Sequence, residues 1–496
     1  MHVVDISSKL AADSVGDLLG ETSGYWDRIY EHMDASETLW VFAPNHYEGT
    51  ESWSPGMQLA DYIREETAFS LKNTVVRHTD PEPGSGLQCI YETILLLVKD
   101  KREYRFNKDN IRVAHVYKGN EWGDREKGSS AYHDTEVQRY NPDGKDPGNV
   151  WLDEERGETD DETVDDVHPL PRTEAIKRCI RASSEEGETV SGLWLSDEFV
   201  EVIAEEGREY EEMEANSSTT ESDFRPWVAD TPPKPDVDDS ETLNIDDLDV
   251  FFQSSENMDD VEDGSVQSVI TSPPYWNLKD YGHEEQIGTA DESYEHYHER
   301  MKRVWKECYD VLAEDGTMWV VVDTVMNRGD LRLLPQHIAN NAVDIGFNHF
   351  DHVVWYKPTA IAGMTPRNVV NKHEYIVALS KNPDFLLNGE PETDNGAEDP
   401  AVLESGPLGN IFRHPVKRGT AGQNVLHKAP YPLSLINRLV RISTDPGDIV
   451  LDPFLGSGTT AESAIDLGRE CIGYEINPEF QDLIQERVGQ RSLSEY

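Results

Sequence analysis

Apolar residues in this chain come in short runs with abrupt ends, and the ends carry most of the information. Val266 to Ile270 has the length and composition of a buried strand. The string that follows, Thr271-Ser272-Pro273-Pro274-Tyr275-Trp276, stops it, because two prolines block a helix and expose a polar and aromatic edge. Asp448 to Leu451 reads as a second strand. It runs into Asp452-Pro453-Phe454-Leu455-Gly456-Ser457-Gly458-Thr459-Thr460, which opens a helix of small and apolar residues. A third strand, Cys471 to Ile476, carries Glu475 near its end. These elements predict an α/β fold with a doubly wound sheet, and both strings then lie at carboxyl ends of strands, where such folds bind ligands.

The pattern occurs twice. Thr38, Trp40 and Val41 recur as Thr317, Trp319 and Val320, and Glu92 to Lys99 (ETILLLVK) recurs as Glu374 to Lys381 (EYIVALSK). At a constant offset, Ile176, Arg178, Arg181, Ser183, Gly187 and Val190 recur as Ile436, Arg438, Arg441, Ser443, Gly447 and Val450. The first copy is degenerate. Opposite the glycine loop it reads Ser191-Gly192-Leu193-Trp194-Leu195-Ser196-Asp197-Glu198, with both loop glycines gone. No PPY string occurs in it, so it is expected to begin just after that point. The predicted map is a degenerate copy over 1–215 that binds no cofactor, an acidic linker over 216–244, and a complete copy over 245–496.

Length and charge refine this picture. A chain of 496 residues has room for two to four domains. Forty-four Lys and Arg against 97 Asp and Glu leave a net charge of −53, spread along the whole chain. Such an excess repels nucleic acid in ordinary buffer, but at molar salt the Debye length falls to roughly 3 Å. The composition therefore reads as adaptation to a salt-rich cytoplasm. The four cysteines lack CxxC spacing, so neither a disulfide framework nor a metal cluster is expected. No apolar run is long enough to span a membrane, and no membrane partner is expected.

Two stretches break the acidic background. Lys99 to Lys127 holds nine basic and six acidic residues. Ser405 to Thr444 holds no Asp or Glu but has six basic residues. A phosphate backbone would exclude acids in this way, since each neutralised phosphate adds affinity through counterion release. The candidate DNA contacts are Arg413, Lys417, Arg418 and Lys428 in the second copy, and Arg102, Arg105 and Arg112 in the first.

The two strings suggest one chemistry. Gly456 and Gly458 allow a tight turn and close approach to a ligand, the next helix offers free amides, and Glu475 is placed to bond a ribose. No Gly-Lys-Ser/Thr follows, so a nucleoside without phosphates fits better than a nucleotide. An exocyclic base amine is a poor nucleophile, because its lone pair is delocalised into the ring. The Ser272 hydroxyl and the Pro273 carbonyl, in a turn fixed by Pro273 and Pro274, could accept its two hydrogens and localise that pair. Tyr275 would stack on a base rotated out of the helix. Methyl transfer from a sulfonium is then direct, with alignment supplying much of the rate. Methylation of a ring carbon would call for a thiol, usually placed after a proline, and no cysteine here follows one.

On these residues the second half resembles the amino methyltransferases of DNA, of the circularly permuted class in which SPPY precedes the cofactor loop. The resemblance covers about 245 to 490 and includes Asp263-Gly264-Ser265-Val266, Leu312 to Trp319, and His427-Lys428-Ala429-Pro430-Tyr431-Pro432. It implies a Rossmann-like methyltransferase fold with S-adenosylmethionine held by Asp452, Pro453, Phe454, Gly456, Gly458, Thr459 and Glu475. It also implies N4 of cytosine in double-stranded DNA as the target. Serine at the head of the xPPY string usually accompanies that chemistry, whereas Asp or Asn accompanies N6 of adenine. TSPPYWNLKDYG is also similar to the string of the haloarchaeal N4-cytosine enzymes that act at CTAG. One departure is Phe252-Gln253-Ser254-Ser255, where relatives often carry an acid near the cofactor's adenine; Glu256 or another group is expected to substitute. The reading is a site-specific cytosine-N4 DNA methyltransferase of the restriction-modification kind, acting as an internal pseudo-dimer or a homodimer. The alternatives are N6-adenine methylation and a DNA-binding pseudo-enzyme.

Overall fold

The computed structural model describes residues 1–12, 14–84, 86–114, 144–154, 167–214, 224–236, 241–277, 283, 285–358, 367–388, 408–415 and 431–489. Two mixed sheets organise them. The first is built from β1 (His2–Asp5), β2 (Thr38–Pro44), β3 (Ser70–Glu82), β4 (Cys89–Val98), β5 (Val150–Trp151), β6 (Thr189–Leu193) and β7 (Glu209–Glu212), in the order β7-β6-β1-β2-β4-β3-β5. The second is built from β8 (Glu241–Ile245), β9 (Leu248–Phe252), β10 (Val266–Thr271), β11 (Leu312–Val322), β12 (Asn348–Tyr356), β13 (His373–Ser380), β14 (Ile411–Arg413), β15 (Ile449–Asp452) and β16 (Glu470–Tyr474), in the order β8-β9-β16-β15-β10-β11-β13-β12-β14.

From β16 to β14 the second sheet repeats the first strand for strand. The directions agree as well: β1 and β10 are parallel to both neighbours, β4 and β13 are antiparallel to both of theirs, and β5 and β14 are parallel edge strands. Register fixes the correspondence residue by residue. Val3 lies opposite Trp40, as Ile270 lies opposite Trp319. Strand β1 therefore occupies the place of β10, and Asp5 the place of Ser272. This corrects the expectation that the first half begins after the proline string. Its strand is present but only four residues long, and no proline marks its end.

Alternation along the strands sends side chains to opposite faces. In the first half, the helices that matter below are α1 (Pro55–Glu66), α2 (Arg172–Ser183) and α3 (Asp197–Glu205). In the second, Val269, Met318, Val320, Val377 and Leu451 pack against α4 (Tyr294–Val311) and α5 (Leu334–Ile345). Their neighbours Ile270, Trp319, Val321, Ile376 and Val450 pack against α6 (Leu433–Ser443) and α7 (Thr459–Asp466). Helices thus cover both faces of a sheet whose strand directions are mixed.

The two halves share core. Leu333, Val354, Tyr356, Tyr375 and Ile411 belong to the same buried cluster as Leu39, Val41 and Leu95. Polar ties cross the seam: the Tyr91 hydroxyl donates to the His352 carbonyl at 2.5 Å, and the Tyr375 hydroxyl donates to Thr74 Oγ1 at 3.1 Å. The expected linker is anchored where it is described. Phe224 meets Tyr62 edge-on, Trp227 stacks on Tyr294, and the Ala229 amide donates to Asn341 Oδ1 at 2.7 Å. The second sheet also starts earlier than expected, since β8 already pairs from Glu241. All four cysteines are buried free thiols, and no helix among the described residues is long and apolar enough to cross a membrane.

Trp40 and Trp319 occupy equivalent, fully buried positions. Replacing either with alanine should cost about 3–5 kcal/mol. Denaturant titration checks this, and a loss below about 1 kcal/mol for either would contradict the shared architecture.

Candidate active site

Strands β9, β16, β15, β10 and β11 run parallel, so their carboxyl ends open on one edge. The Ser272–Tyr275 turn leaves β10 there and the Asp452–Gly458 loop leaves β15 beside it, so the structure brings the two strings together. A buried carboxylate joins them. Asp452 Oδ1 accepts from Thr271 Oγ1 at 2.7 Å and from the Phe454 amide at 3.0 Å, and Oδ2 accepts from Thr460 Oγ1 at 2.7 Å and the Tyr431 hydroxyl at 3.1 Å. Burial pushes the Asp452 pKa up while these hydrogen bonds pull it down. Asp452, an expected ligand contact, is fully buried and ties the loop to the end of β10.

Two residues of that loop need the left-handed region, Gly456 at φ +52° and Gly458 at +82°, and Gly458 caps the start of α7. Glu475 holds the turn from the next strand: Oε2 accepts from the Gly456 amide at 2.8 Å and Oε1 from the Asn477 amide at 2.9 Å. The Ile476 amide is a third backbone donor, which leaves the carboxylate room for a further one among its roughly four acceptor sites. Burial pushes its pKa up to about 7. Close packing fixes the loop from below, since a Cβ on Gly473 would come within 2.5 Å of Leu455 Cδ2. Pro453 is buried, Phe454 is half-buried against Trp305, and Thr459 Oγ1 accepts from Arg487 at 2.7 Å. Left-handed glycines, helix-start amides and a carboxylate with spare lone pairs suit a nucleoside.

The proline turn is pinned on three sides. The Tyr297 hydroxyl donates to the Pro274 carbonyl at 2.9 Å, Trp276 Nε1 donates to the Glu292 carbonyl at 2.8 Å, and Gly288, at φ +87°, lies against the Tyr275 carbonyl. Pro273 is buried, and no described residue donates to its carbonyl. The half-buried Tyr275 donates its hydroxyl to Glu374 Oε2 at 2.9 Å, and the Ser272 hydroxyl bonds the same phenol oxygen. Burial, with Glu374 and Asp323 nearby, pushes the phenol pKa well above its ordinary value, so Tyr275 stays neutral.

Sequence reasoning missed the groups behind Tyr275. Glu374 Oε1 accepts from Lys357 Nζ at 2.8 Å, Lys357 lies 4.0 Å from Asp323, and Asn371 Nδ2 donates to both Asp323 oxygens at 3.1 and 2.9 Å. A signal existed for Glu374, an acid in an otherwise apolar repeated strand with Glu92 as its twin. Glu256, the expected adenine contact, is ion-paired with Arg300 at 2.6 Å.

The candidate DNA residues separate. Arg102 lines a cavity of about 1090 Å³ between the halves, with Tyr30, Lys101, Arg332 and Tyr294; this cavity reaches the proline string only through Trp276. Arg105 is paired with Glu188 at 2.5 Å, and Arg112 with Asp109 at 2.7 Å. Arg413 lies half-buried on edge strand β14. Lys417, Arg418 and Lys428 lie outside the described residues.

A glycine loop suited to a nucleoside-like group beside a proline-fixed Ser/Tyr turn suited to a flat one is an arrangement that fits group transfer. The chain belongs to the N6_N4_Mtase family of DNA methylases, matched over residues 8–196 and 266–486. It is thus a DNA methyltransferase of the N4/N6 kind. The type II methyltransferase M.XycI of Xanthomonas campestris pv. cyanopsidis is 32% identical over 264 residues, 46% of this chain and 83% of that protein. M.MthZI of Methanothermobacter thermautotrophicus is 32% identical over 273 residues, 49% of this chain and 76% of that protein. Among solved structures, the cytosine-N4-specific PvuII DNA methyltransferase matches 49% of this chain and 93% of its own at 16% identity and a TM-score of 0.40. The M1.HpyAVI complex with S-adenosylmethionine matches 48% and 99% at 20% identity and a TM-score of 0.33.

The raised Glu475 pKa gives a signed prediction. If Glu475 accepts from a ribose hydroxyl, the ionised carboxylate is the stronger acceptor, and with a pKa of about 7 it is largely protonated at pH 6. S-adenosylmethionine should therefore bind more tightly at pH 8 than at pH 6. Glu475→Gln should bind on the order of tenfold more weakly at pH 8 and lose that dependence. Calorimetric titration at both pH values reads this, and affinity independent of pH in the unmodified protein would contradict it.

Proposed function

We propose that the chain transfers the methyl group of S-adenosylmethionine to the exocyclic N4 amine of cytosine in double-stranded DNA, in the cleft of its second half. The observation that carries this is the emergence of Ser272-Pro273-Pro274-Tyr275 and the Gly456 loop from adjacent parallel strands, tied by Thr271 and Asp452 at 2.7 Å. S-adenosylmethionine is the cofactor. Gly456, Gly458, Phe454 and Glu475 would hold it, and when bound it would supply a methyl group on a sulfonium. The chain order, proline string before glycine loop, fits the permuted class.

The protein's part is positioning. The Ser272 hydroxyl and the Pro273 carbonyl accept the two amine hydrogens and localise the nitrogen lone pair. The Tyr275 ring, tethered at its hydroxyl by Glu374, offers its face to a base taken out of the helix. Serine rather than Asp or Asn at the head of the string supports cytosine over adenine.

The first half is a degenerate copy that binds no cofactor, so one chain acts as an internal pseudo-dimer. Three features support this. Asp5, at the place of Ser272, is ion-paired with Arg172 at 2.9 Å. Trp194, at the place of Phe454, sits at φ +58° with Tyr25 packed edge-on and Lys9 over its ring. Ser196 and Glu198 replace the loop glycines. The copy contributes DNA contact through Lys101 and Arg102 at the cavity between the halves. The charge of −53 suits a salt-rich cytoplasm.

Ser272→Ala and Tyr275→Ala should each lower turnover at least about 100-fold while S-adenosylmethionine affinity stays within about threefold. Mass spectrometry of nucleosides from treated DNA should find N4-methylcytosine; N6-methyladenine would replace the target assignment, and retained turnover in both variants would refute the site. The double variant Lys101→Glu/Arg102→Glu should lose on the order of tenfold in DNA affinity with a flatter salt dependence and unchanged cofactor affinity. Unaltered DNA binding would remove this surface from the proposal.

A further inference from the structure

The stretch 367–373, which delivers Glu374 to the site, is held by the first half. Asn149 binds it three times: its amide donates to the Val370 carbonyl at 3.0 Å, its Oδ1 accepts from the Lys372 amide at 2.8 Å, and its Nδ2 donates to Asn371 Oδ1 at 3.1 Å. Asn73 Nδ2 donates to Asn368 Oδ1 at 2.7 Å, and Asn368 Nδ2 donates back to the Lys72 carbonyl at 2.8 Å. The Tyr104 hydroxyl donates to the Arg367 carbonyl. Asn149 and Asn73 are themselves joined at 3.1 Å, and both are buried. Approach is close enough at this point that a Cβ on Gly148 would come within 2.5 Å of Lys372 Cδ.

On the other side of Asn371 lies the catalytic cleft. Its Nδ2 holds both oxygens of Asp323, Asp323 faces Lys357, Lys357 holds Glu374, and Glu374 holds the Tyr275 hydroxyl. We infer that the first half is a positioning element of the second half's active site, acting through Asn149 and Asn371 to fix Asp323, Lys357 and Glu374 behind Tyr275. A scaffold that only presented DNA would not need to grip this segment. Side-chain amides suit the task, since each makes several directional bonds; Asn73 and Asn149 are buried, Asn368 is half-buried, and the exposed Asn371 is held by Asn149 on one side and Asp323 on the other.

The inference rests on the reading of Tyr275 as part of the catalytic cleft, so the full-length variants Asn149→Ala and Asn371→Ala are measured beside Tyr275→Ala. Both asparagine variants should lose about tenfold or more in kcat, with S-adenosylmethionine and DNA affinities within about threefold. Asn371→Ala should also move the acid limb of the kcat profile to higher pH. Its two hydrogen bonds favour the ionised form of Asp323, which burial pushes above the usual carboxylate range, while Lys357, Glu374, Tyr275 and Tyr375 still face it. Asn371→Gln should restore part of both effects.

Unchanged kcat in Asn371→Ala, or a fall matched by loss of folded protein with the pH profile unmoved, would overturn the inference. So would a loss of DNA affinity at constant kcat. Should Asn149→Ala fail to fold, Asn371→Ala decides alone. If Tyr275→Ala keeps its turnover, the reading of the cleft has failed; if only the asparagine variants keep theirs, this inference has failed and the cleft stands.

Discussion

One buried carboxylate sets the geometry of the site. Asp452 has no exposed surface and receives four donors: one each from the end of β10, the start of α7 and the segment leading into α6, and the Phe454 amide of its own loop. A charge taken out of water at this depth costs several kcal/mol unless its lone pairs are filled, and the partners then become mutually dependent. Moving any donor would strand the others. The two loops that leave β10 and β15 are therefore rigidly related, and the methyl donor and acceptor sites proposed there inherit that relation. Catalysis by alignment needs such stiffness, because displacements of about 1 Å in a near-attack geometry can cost orders of magnitude in rate.

The same scaffold appears twice with different ends on its strands. Strand order and direction agree, while the loops at the carboxyl edge do not. In the second half the edge is open and lined by glycine backbone and a tethered tyrosine. In the first half the matching positions are filled by their own side chains: Arg172 sits between Asp5 and Glu92, and Trp194 is wedged between Tyr25 and Lys9. A sheet core depends on alternation of apolar side chains and tolerates any loop chemistry above it. A ligand site depends on a handful of backbone torsions at that edge, which explains how one copy can keep its fold without its loop.

Much of this was legible in the residues. Proline pairs and glycine pairs announce themselves because they restrict or free the backbone, and the repeated residues Trp40/Trp319 and Glu92/Glu374 mark the same sheet positions. Strand β1 was not legible, since four residues without a terminating proline carry no periodic signal. Nor was the anchoring of 224–236, where an acid- and proline-rich stretch looks like a spacer; the side chains of Phe224 and Trp227 are what tie it down. Asp323, Lys357 and Asn371 escaped notice for another reason. Their importance comes from which strands are neighbours in space, and that follows from crossovers of the sheet. The cavity between the halves is invisible in sequence for the same cause.

The chemistry of the seam beside the cleft also answers to the charge of the chain. At −53, long-range fields are strong at low salt and largely screened at high salt, so ion pairs along an exposed seam would change strength with ionic strength. The seam at this point uses neutral amides instead: Asn73, Asn149, Asn368 and Asn371. A chain of amide hydrogen bonds is short-ranged and directional, and it is indifferent to the sign of the field around it. Charge enters at Asp146, which accepts from the Val370 amide at 3.3 Å and pairs with Lys108 at 3.1 Å, and at the inner end, where Asp323, Lys357 and Glu374 are sheltered, each side chain less than one-fifth exposed. Position is thus passed from one half to the other mainly by neutral amides, which salt affects little.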